Sequence, residues 1–402
     1  MTEIPGGVCA AQGFRASGIH AGLKKNPEKP DLALIAADCP CAAAAVYTQN
    51  LAAATPLALT RRHLSGGFAR AALVNSGNAN AWAEDSLANA ERCCRALAAE
   101  MGIGENEIIV NSTGVIGRRL PVEIIEAAMP ALVQNLAASP AASLAAAAAI
   151  MTTDTKPKEA AVGFELSGKP VRLGAIAKGS GMLHPNMATM IALLTTDCAI
   201  EPALLRKALG ESARLSYNRV SVDGDTSTND MCAVLASGLA GNRAIAGPGE
   251  DYGNFLDAMN RVNLKLARLI AADGEGATKL ITCRVEGANS REDAEALSRA
   301  VVASALVKAA MFGADANWGR VLCAMGYSGA PFDPSRVGIA FSDLKVCEGG
   351  MGLDFDEDAA KKLLSGKEVY INITAGGGPG EAEAYGCDLT YDYVRINGDY
   401  RS

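Results

Sequence analysis

A threonine at the start of an apolar run is the strongest candidate for a reactive residue in this sequence. Thr189 follows Ala188 directly, after a glycine-rich loop that carries a lysine and a His-Pro-Asn turn (residues 178–186). A threonine hydroxyl is a poor nucleophile unless a neighbouring base takes its proton. If the Ala188–Thr189 bond were cut, the free α-amine of Thr189, with an ordinary pKa of about 7.7–8.0, would supply that base.

The same hydroxyl could also make the cut. Thr189 Oγ1 can attack the carbonyl of Ala188, and water can then hydrolyse the resulting ester. A small residue before the threonine and a strained approach favour this chemistry. The loop provides conformational freedom at Gly179 and Gly181 and a constraint at Pro185. Spacing alone leaves open the alternative that Thr189 is an ordinary threonine at the edge of the core.

Two other stretches place hydroxyl or carboxylate side chains next to apolar runs. NSTG at 111–114 follows an apolar strand, where small residues can leave backbone N–H groups free to stabilise an oxyanion. Its alternative is an ordinary strand-to-helix turn. SVDGDTSTND at 221–230 is either a functional loop or a solvated turn. Its Asp223 and Asp225 do not make a calcium loop, because the required glutamate is missing.

The remaining glycine- and histidine-containing segments match no cofactor motif. GSG at 179–181 lacks the third glycine of a dinucleotide fingerprint, and DGEGATK at 273–279 lacks the spacing of a P-loop. The three histidines, His20, His63 and His184, are scattered and form no HExxH motif. These segments therefore predict neither a nucleotide site nor a metal site.

Composition indicates a globular protein without a large basic surface. The chain has 402 residues and a net charge of −7, which argues against nucleic acid or an anionic membrane as the main partner. Eleven cysteines without a CxxC pair predict thiols in a reducing cytoplasm, not a disulfide framework. The N-terminus shows no signal or transit peptide, and the alanine-rich tract at 139–151 is too short to cross a bilayer.

The hydrophobic pattern predicts a mixed α/β fold that would position these residues. A helical pattern ends at Gly102, and Pro121 and Pro202 each occupy a position typical of a first helical turn. A boundary near residue 287 is predicted to separate off a smaller α/β part. The expected elements are strands at 31–36, 71–75, 107–111, 279–285 and 369–374, helices at 255–270 and 292–311, a loop at 375–384 and an edge strand at 388–400.

The segment KGSGMLHPNMATMIALLTTD (178–197) closely resembles the self-cleavage segment of the ornithine acetyltransferase family. These are the bifunctional glutamate N-acetyltransferase/amino-acid acetyltransferases of arginine biosynthesis. Six further blocks resemble the family's motifs, in the family's order, and together span nearly the whole chain. They are NSTGVIG (111–117), MTTDTKPK (151–158), RVSVDGDTSTND (219–230), DGEGATK (273–279), NWGRVLCAMGYSG (317–329) and YVRINGDYRS (393–402).

The resemblance implies a fold and a processing step. The fold would be an α/β layered sandwich of packed sheets flanked by helices, of the self-cleaving type with an N-terminal nucleophile. Cleavage between Ala188 and Thr189 would give an α chain, 1–188, and a β chain, 189–402, which stay together and commonly form α2β2 heterotetramers. Within the β chain, 189–287 would complete the core, 288–387 would form a smaller domain and 388–402 would close the site.

The resemblance also implies the reaction and its residues. Thr189 would take the acetyl group of N2-acetyl-L-ornithine and pass it to L-glutamate in a ping-pong mechanism, without a metal ion or prosthetic group. Thr113 and Gly114 would form the oxyanion hole. The implied substrate-binding residues are Thr152, Lys178, Thr189, Glu275, Asn397 and Ser402. Thr153 beside Thr152 leaves an uncertainty of one residue there.

Within that resemblance, the residue roles follow from charge. Lys178 would bind the α-carboxylate that both substrates share, and Glu275 would bind the side-chain ammonium of ornithine. Glutamate presents a carboxylate at the same place, so that end of the pocket must adapt, or water must mediate. His184 is not needed as a base once the α-amine serves, and His184-Pro185-Asn186 is expected to strain the loop.

Three alternatives stay open at this stage. A self-cleaving aminopeptidase of the related fold would transfer the acyl group to water. An uncut binding or scaffold protein would give a single chain of 41.3 kDa. Within the acetyltransferases, some members use only N-acetylornithine and others also accept acetyl-coenzyme A as donor.

Overall fold

The computed structural model of the protein describes residues 1–184 and 190–399, and within these ranges the chain forms sixteen strands and eleven α-helices. In chain order, the strands are β1 Thr2–Glu3, β2 Phe14–Ile19, β3 Leu32–Tyr47, β4 Phe68–Asn78, β5 Ile108–Val115, β6 Lys158–Leu166, β7 Lys169–Lys178, β8 Ile191–Thr196, β9 Val220–Ser221, β10 Met231–Ala236, β11 Leu280–Ala288, β12 Gly338–Phe341, β13 Leu344–Glu348, β14 Met351–Gly352, β15 Glu368–Thr374 and β16 Gly380–Cys387. The helices are α1 Thr55–His63, α2 Ser86–Met101, α3 Val122–Gln134, α4 Pro140–Ala149, α5 Pro202–Leu215, α6 Glu250–Ala272, α7 Arg291–Ala303, α8 Ala305–Phe312, α9 Trp318–Gly326, α10 Glu357–Leu364 and α11 Tyr391–Asp399.

The strands form two sheets. The first has the order β1-β6-β7-β8-β10-β3-β4-β5, with β2 paired to β3. The second has the order β14-β13-β12-β15-β11-β16-β9. The predicted α/β fold with packed sheets and flanking helices is therefore confirmed. Strand β11 crosses the boundary predicted near residue 287, and the division of the chain into parts stays a prediction.

Both faces of the first sheet are buried, because alternate side chains of each central strand enter different cores. In β8, Ala192 and Leu194 belong to the core that contains α5 and α6, whereas Ile191 and Leu193 belong to the core that contains α4. The alanine-rich tract thus forms a packed helix. A Cβ at Gly18 would lie 2.1 Å from the Ala145 carbonyl oxygen, so β2 and α4 are in direct backbone contact.

The second sheet has its own core. Alternate residues of β11, including Ile281 and Cys283, pack with Leu297 and Val301 of α7. All eleven cysteines of the chain lie in the described ranges as free thiols, and most are buried. None of the helices in those ranges is both long and apolar enough to cross a membrane.

Most predicted elements are confirmed. The predicted strands at 31–36, 71–75 and 107–111 lie in β3, β4 and β5, and α2 ends at Gly102, which has a φ of 64°. Pro202 begins α5, and Pro121 immediately precedes α3.

Three local predictions are wrong. The helix predicted over 292–311 is interrupted at Ser304, whose extended backbone ends α7 and whose hydroxyl accepts from the Val307 N–H at 3.3 Å to cap α8. The loop predicted over 375–384 enters strand β16 at Gly380. The edge strand predicted over 388–400 contains helix α11, in which no described residue is buried, so no sheet face imposes alternation.

Candidate active site

One cavity collects every predicted site residue that the structure describes. It has a volume of about 150 Å³ and lies where β5 and β7 end. The predicted residues that line it are Thr113, Gly114, Thr152, Lys178, Glu275 and Asn397. Thr153, beside Thr152, also lines it. The predictions for Ala188, Thr189 and Ser402 lie outside the described residues.

Larger cavities in the described part of the chain contain none of these six residues. Their volumes are about 290, 640 and 900 Å³. Size therefore does not select the candidate site. The small cavity is distinguished by a buried lysine and a buried carboxylate among several hydroxyl groups, which suits a small zwitterionic ligand.

The end of β5 brings the predicted oxyanion hole to the cavity. Strand β5 pairs in parallel with β4, and Gly114 lies opposite Gly77, next to a shift of register at Asn78. A Cβ at Gly114 would lie 2.5 Å from the Gly77 carbonyl carbon, and its φ is +131°. Only glycine fits this backbone without strain. Thr113 is buried beside it, with 9% of its surface exposed.

We expect Gly114→Ala to disrupt the site. The positive φ alone strains an alanine by about 1–3 kcal/mol, and the Cβ would also meet β4 backbone. Activity per folded molecule should fall at least about tenfold, because the displaced backbone moves the donors of the predicted oxyanion hole. Gly117→Ala is the control, because Gly117 also has a positive φ, +77°, but open space around it. Equal activity and stability in both variants would contradict the close-approach argument.

Lys178 is the buried cation of the site. It ends β7 with 5% of its surface exposed, and its Nζ donates to Thr113 Oγ1 at 3.4 Å. Burial lowers the pKa of the Lys178 ammonium, while the nearby carboxylate of Asp154 opposes that shift. Because Thr113 Oγ1 accepts from Lys178, its own hydrogen is free to donate elsewhere.

Glu275 is the buried anion of the site. It is 8% exposed and follows α6 on a loop whose backbone is fixed by the Glu275 N–H donating to the Ser180 carbonyl at 3.0 Å. Asn397 of α11 donates from Nδ2 to Glu275 Oε2 at 2.7 Å. A Cβ at Gly181 would lie 2.3 Å from the Glu275 carboxyl carbon, so a larger residue there would displace the carboxylate.

The 221–230 segment, left open as a functional loop or a solvated turn, contributes Ser227, Thr228 and Asn229 to the cavity lining. The Asp223 carboxylate accepts from the backbone N–H groups of Met182 and Leu183 at 2.6 and 2.7 Å. These two hydrogen bonds show that the 221–230 segment supports the loop up to Leu183. Among the described residues, no cluster of histidine, cysteine and acidic side chains could hold a metal ion.

Asn229 and Asp230 were not singled out from the sequence. Asn229 Nδ2 donates to the carbonyls of Ala79 and Ser112 at 2.8 Å each, which fixes the approach to Thr113. Asp230 is 2% exposed, and its Oδ2 has no hydrogen-bond partner among the described residues. Burial raises the pKa of Asp230 well above its ordinary value, against the opposing effect of Lys178. The one feature of the sequence that could have drawn attention to Asn229 and Asp230 is the high density of hydroxyl and carboxyl groups in the 221–230 segment.

His184 is the last residue that the structure describes before position 190. Its Nδ1 lies 3.0 Å from Ser221 Oγ, and its carbonyl accepts from Thr226 Oγ1 at 2.8 Å. Burial lowers the pKa of the His184 imidazole. These contacts hold the loop to the 221–226 segment and do not place the imidazole in the cavity lining.

The comparisons with known proteins agree on one family. The ArgJ family model matches residues 15–402. The chain is 51% identical over 404 residues to the arginine biosynthesis bifunctional protein ArgJ of Symbiobacterium thermophilum, with 100% of each chain covered. It is 46% identical over 398 residues to the ArgJ protein of Thermotoga neapolitana, covering 97% of this chain and 99% of that one.

A solved structure also matches. The crystal structure of the ArgJ protein of Bacillus halodurans has 43% sequence identity and a TM-score of 0.50, and the match covers 51% of this chain and 97% of that chain. The resemblance inferred from the seven sequence blocks is thus confirmed over the full length of the protein. The chain belongs to the ArgJ family, the ornithine acetyltransferases of arginine biosynthesis.

Proposed function

We propose that this protein transfers the acetyl group of N2-acetyl-L-ornithine to L-glutamate through an acetyl ester on Thr189. Its family membership makes it an acetyltransferase of arginine biosynthesis that acts on small molecules. The observation that carries the residue assignment is the single cavity that collects Lys178, Glu275 and the Thr113–Gly114 turn. A cation, an anion and a candidate oxyanion hole are the groups that an amino-acid acetyl transfer needs.

The proposed reaction has two half-reactions. After self-cleavage at Ala188–Thr189, Thr189 Oγ1 attacks the acetyl carbonyl carbon, and the α-amine of Thr189 takes the hydroxyl proton. That proton passes to the departing α-nitrogen, the C–N bond breaks, and ornithine leaves an acetyl-Thr189 ester. The α-amine of glutamate then attacks the ester carbonyl carbon and gives a proton to the Thr189 amine. The Thr189 amine returns that proton to Oγ1 as the ester C–O bond breaks, and N-acetyl-L-glutamate leaves.

Thr113 and Gly114 are proposed to stabilise the negative charge on the carbonyl oxygen in both half-reactions. The Lys178 ammonium, 3.4 Å from Thr113 Oγ1, aligns the Thr113 hydroxyl and adds a positive charge nearby. Its burial strengthens that interaction, because little water competes in the cavity. One oxyanion-hole donor typically contributes about 3–4 kcal/mol to transition-state stabilisation.

Charge also explains how the substrates would be oriented. Lys178 is proposed to bind the α-carboxylate common to both, and Glu275 the side-chain ammonium of ornithine. For glutamate, the hydroxyl group of Thr152 in the cavity lining can donate to the side-chain carboxylate, directly or through water. A hydroxyl can donate to a carboxylate and accept from an ammonium, so this end of the pocket suits either substrate.

Self-cleavage has separate support from the solved relative. The matched chain of the Bacillus halodurans structure is covered over 97% of its length by 51% of this chain, so it is about half as long. That length is what one product of a cut near the middle of the precursor would have. Residues 1–188 and 189–402 are the two products that we propose.

The remaining parts of the proposal concern assembly and cellular setting. The two cleaved chains are proposed to stay together as an α2β2 heterotetramer, with Ser402 and the C-terminal residues closing the pocket. Free thiols at all eleven cysteines support a reducing cytoplasm. We propose that no metal ion or prosthetic group takes part and that acetyl-coenzyme A serves as a second acetyl donor.

The proposal is tested by offering the enzyme N-acetylornithine with and without glutamate and quantifying N-acetylglutamate, ornithine and free acetate. We expect ornithine and N-acetylglutamate in equal amounts and little acetate. Free acetate independent of glutamate, or release of residues from short peptides, would favour the aminopeptidase alternative. Replacing N-acetylornithine by acetyl-coenzyme A tests the second donor in the same assay.

Glu275→Gln should separate the two substrates. Loss of the carboxylate removes the partner of the ornithine ammonium, so KM for N-acetylornithine should rise about tenfold or more. KM for glutamate should stay unchanged or fall, because its side-chain carboxylate no longer meets a like charge. Glu348→Gln is the control, since the Glu348 side chain is 58% exposed, pairs with Lys345 and does not line the candidate cavity. An equal change in both KM values would contradict the proposed role.

A further inference from the structure

We propose that the buried ion triad Asp154–Lys158–Asp273 is a positioning unit that holds three substrate-contacting segments in register and keeps Lys178 available to the substrate carboxylate. Lys158 would thus be a positioning residue, without contact to the substrate. The inference rests on the assignment of Thr152, Lys178 and Glu275 as substrate contacts made above.

The triad is almost completely inaccessible to solvent. Lys158 Nζ donates to Asp154 Oδ1 at 2.7 Å and to Asp273 Oδ2 at 2.6 Å, and the side chains of Lys158, Asp154 and Asp273 are 1%, 0% and 4% exposed. A third contact, to the Lys156 carbonyl at 3.4 Å, uses the remaining donor of the ammonium. Asp154 and Asp273 are 119 positions apart in sequence, so only the fold brings them to one lysine.

The Asp154 carboxylate also fixes backbone at or next to two proposed substrate contacts. Asp154 accepts from the Thr152 N–H at 3.1 Å and from the Gly179 N–H at 2.8 Å. The first bond fixes a residue of the cavity lining, and the second fixes the residue that follows Lys178. One carboxylate thus ties the 152–158 segment to the end of β7.

The third segment is tied through Asp273. Its carbonyl accepts from Ser180 Oγ at 2.8 Å, and the Ser180 carbonyl accepts from the Glu275 N–H at 3.0 Å. The Asp273 carboxylate also accepts from the Thr155 N–H at 3.0 Å and from the Thr155 hydroxyl. The loop that carries Glu275 is therefore bonded to both other segments.

Charge balance gives the triad its second role. Burial alone would raise the pKa of Asp154, but Lys178 and Lys158 outweigh burial and bring it to about 2, so the carboxylate stays charged. Two lysines and two aspartates are thus buried together. Without Lys158, Asp154 would interact more strongly with Lys178 and would compete with the substrate carboxylate for it.

A buried ion pair is weak evidence for a gain in stability, because desolvation offsets much of the attraction. A network of this kind is better explained by a geometric requirement, and here it joins three segments that each carry a proposed substrate contact. Positioning and stabilisation make different kinetic predictions, which allows a test.

The test uses the full-length, self-cleaved enzyme carrying Lys158→Met, with active sites counted by the amount of acetyl-enzyme formed in a burst. We expect KM for N-acetylornithine and KM for glutamate to rise together, each about tenfold or more, with a smaller change in kcat per active site. The joint rise follows because both substrates share the carboxylate that Lys178 binds. Lys158→Arg, which keeps the charge, should recover part of the loss.

Lys265→Met is the matched control. Lys265 Nζ lies 2.6 Å from Glu3 Oε2, but both side chains are about half exposed, so this variant should keep wild-type kinetics. If Lys158→Met does not fold, Thr155→Val and Ser180→Ala remove single bonds of the same network and should raise both KM values severalfold.

The outcomes separate the inference from the proposed function. Kinetics per active site within about twofold of wild type in folded Lys158→Met, or in both milder variants, would overturn the positioning role. If Glu275→Gln also leaves both KM values unchanged, the substrate-contact assignment itself fails. If Glu275→Gln acts as proposed and the triad variants do not, only the inference fails.

Discussion

Thr189→Ala is expected to yield a single uncut chain of 41.3 kDa without acetyltransferase activity. The wild-type protein should instead give two fragments, one ending at Ala188 and one beginning at Thr189. Without the hydroxyl, neither the attack on the Ala188 carbonyl nor the acetyl ester can form. We expect a loss of transfer of at least about 10⁴-fold, as for removal of a nucleophile in other acyl-transfer enzymes.

Intact mass under denaturing conditions measures the cut, and the acetylornithine–glutamate assay measures the transfer. Thr196→Ala in strand β8 is the matched control: Thr196 is fully buried, and its Oγ1 donates to the Arg172 carbonyl at 2.8 Å. That variant should lose some stability but should still be cut and active. An active wild-type sample that remains one chain would return Thr189 to the role of a core-edge threonine.

The strands of the first sheet could be predicted because their apolar runs are dense enough to be buried on both faces. DLALIA at 31–36 and AALVN at 71–75 each lie within longer strands that alternate between two cores. The length of β3, Leu32–Tyr47, could not be predicted, because four of its last eight residues are alanine and one is proline. Pairing of that half with β10, and not the identity of its residues, makes it a strand.

The errors near the C-terminus have a different cause. In β16, the alternation Glu381, Ala382, Glu383, Ala384 is strand-like, but the preceding glycines suggested a loop. Gly380 is needed there because a Cβ would lie 2.1 Å from the Ser290 carbonyl oxygen. In the segment that forms α11, the alternation of polar and apolar residues predicted a strand. The segment is an exposed helix that is stabilised by local hydrogen bonds, such as the one that Asn397 Nδ2 donates to the Tyr393 carbonyl at 3.1 Å.

For the candidate site, chemistry and resemblance contributed different parts. Residue types alone pointed to Thr189 and to the Thr113–Gly114 turn. Lys178, Glu275 and Asn397 came from the resemblance to the family, because their sequence positions give no sign that they meet. The triad was not predicted by either route: Lys158 and Lys156 look alike in TKPK, and only the fold buries Lys158 between two aspartates.

Lys178→Met should lower kcat/KM for acetyl transfer by about 10²–10³-fold, the range found when one oxyanion-hole donor is removed. Two effects combine in this value. The substrate carboxylate loses its proposed partner, and Thr113 Oγ1 loses the donor that lies 3.4 Å away. Lys279→Met is the matched control, because Lys279 is also buried, at 9% exposure, but donates to the Met311 carbonyl outside the cavity lining.

The pH profile tests the same residue without changing the pocket's shape. Burial lowers the pKa of Lys178 below the ordinary lysine value of 10.5, so its positive charge is lost at a lower pH than that of an exposed lysine as pH rises. The α-amine of Thr189 must be neutral to act as base, so the rate should first rise near pH 7–8. Wild-type kcat/KM, measured from about pH 6 to about pH 10, should therefore fall again on the alkaline side, below the ordinary lysine pKa. The Lys178→Met profile should keep the acidic limb and lose the alkaline one. An unchanged alkaline limb in that variant would assign the charge that binds the substrate to another group.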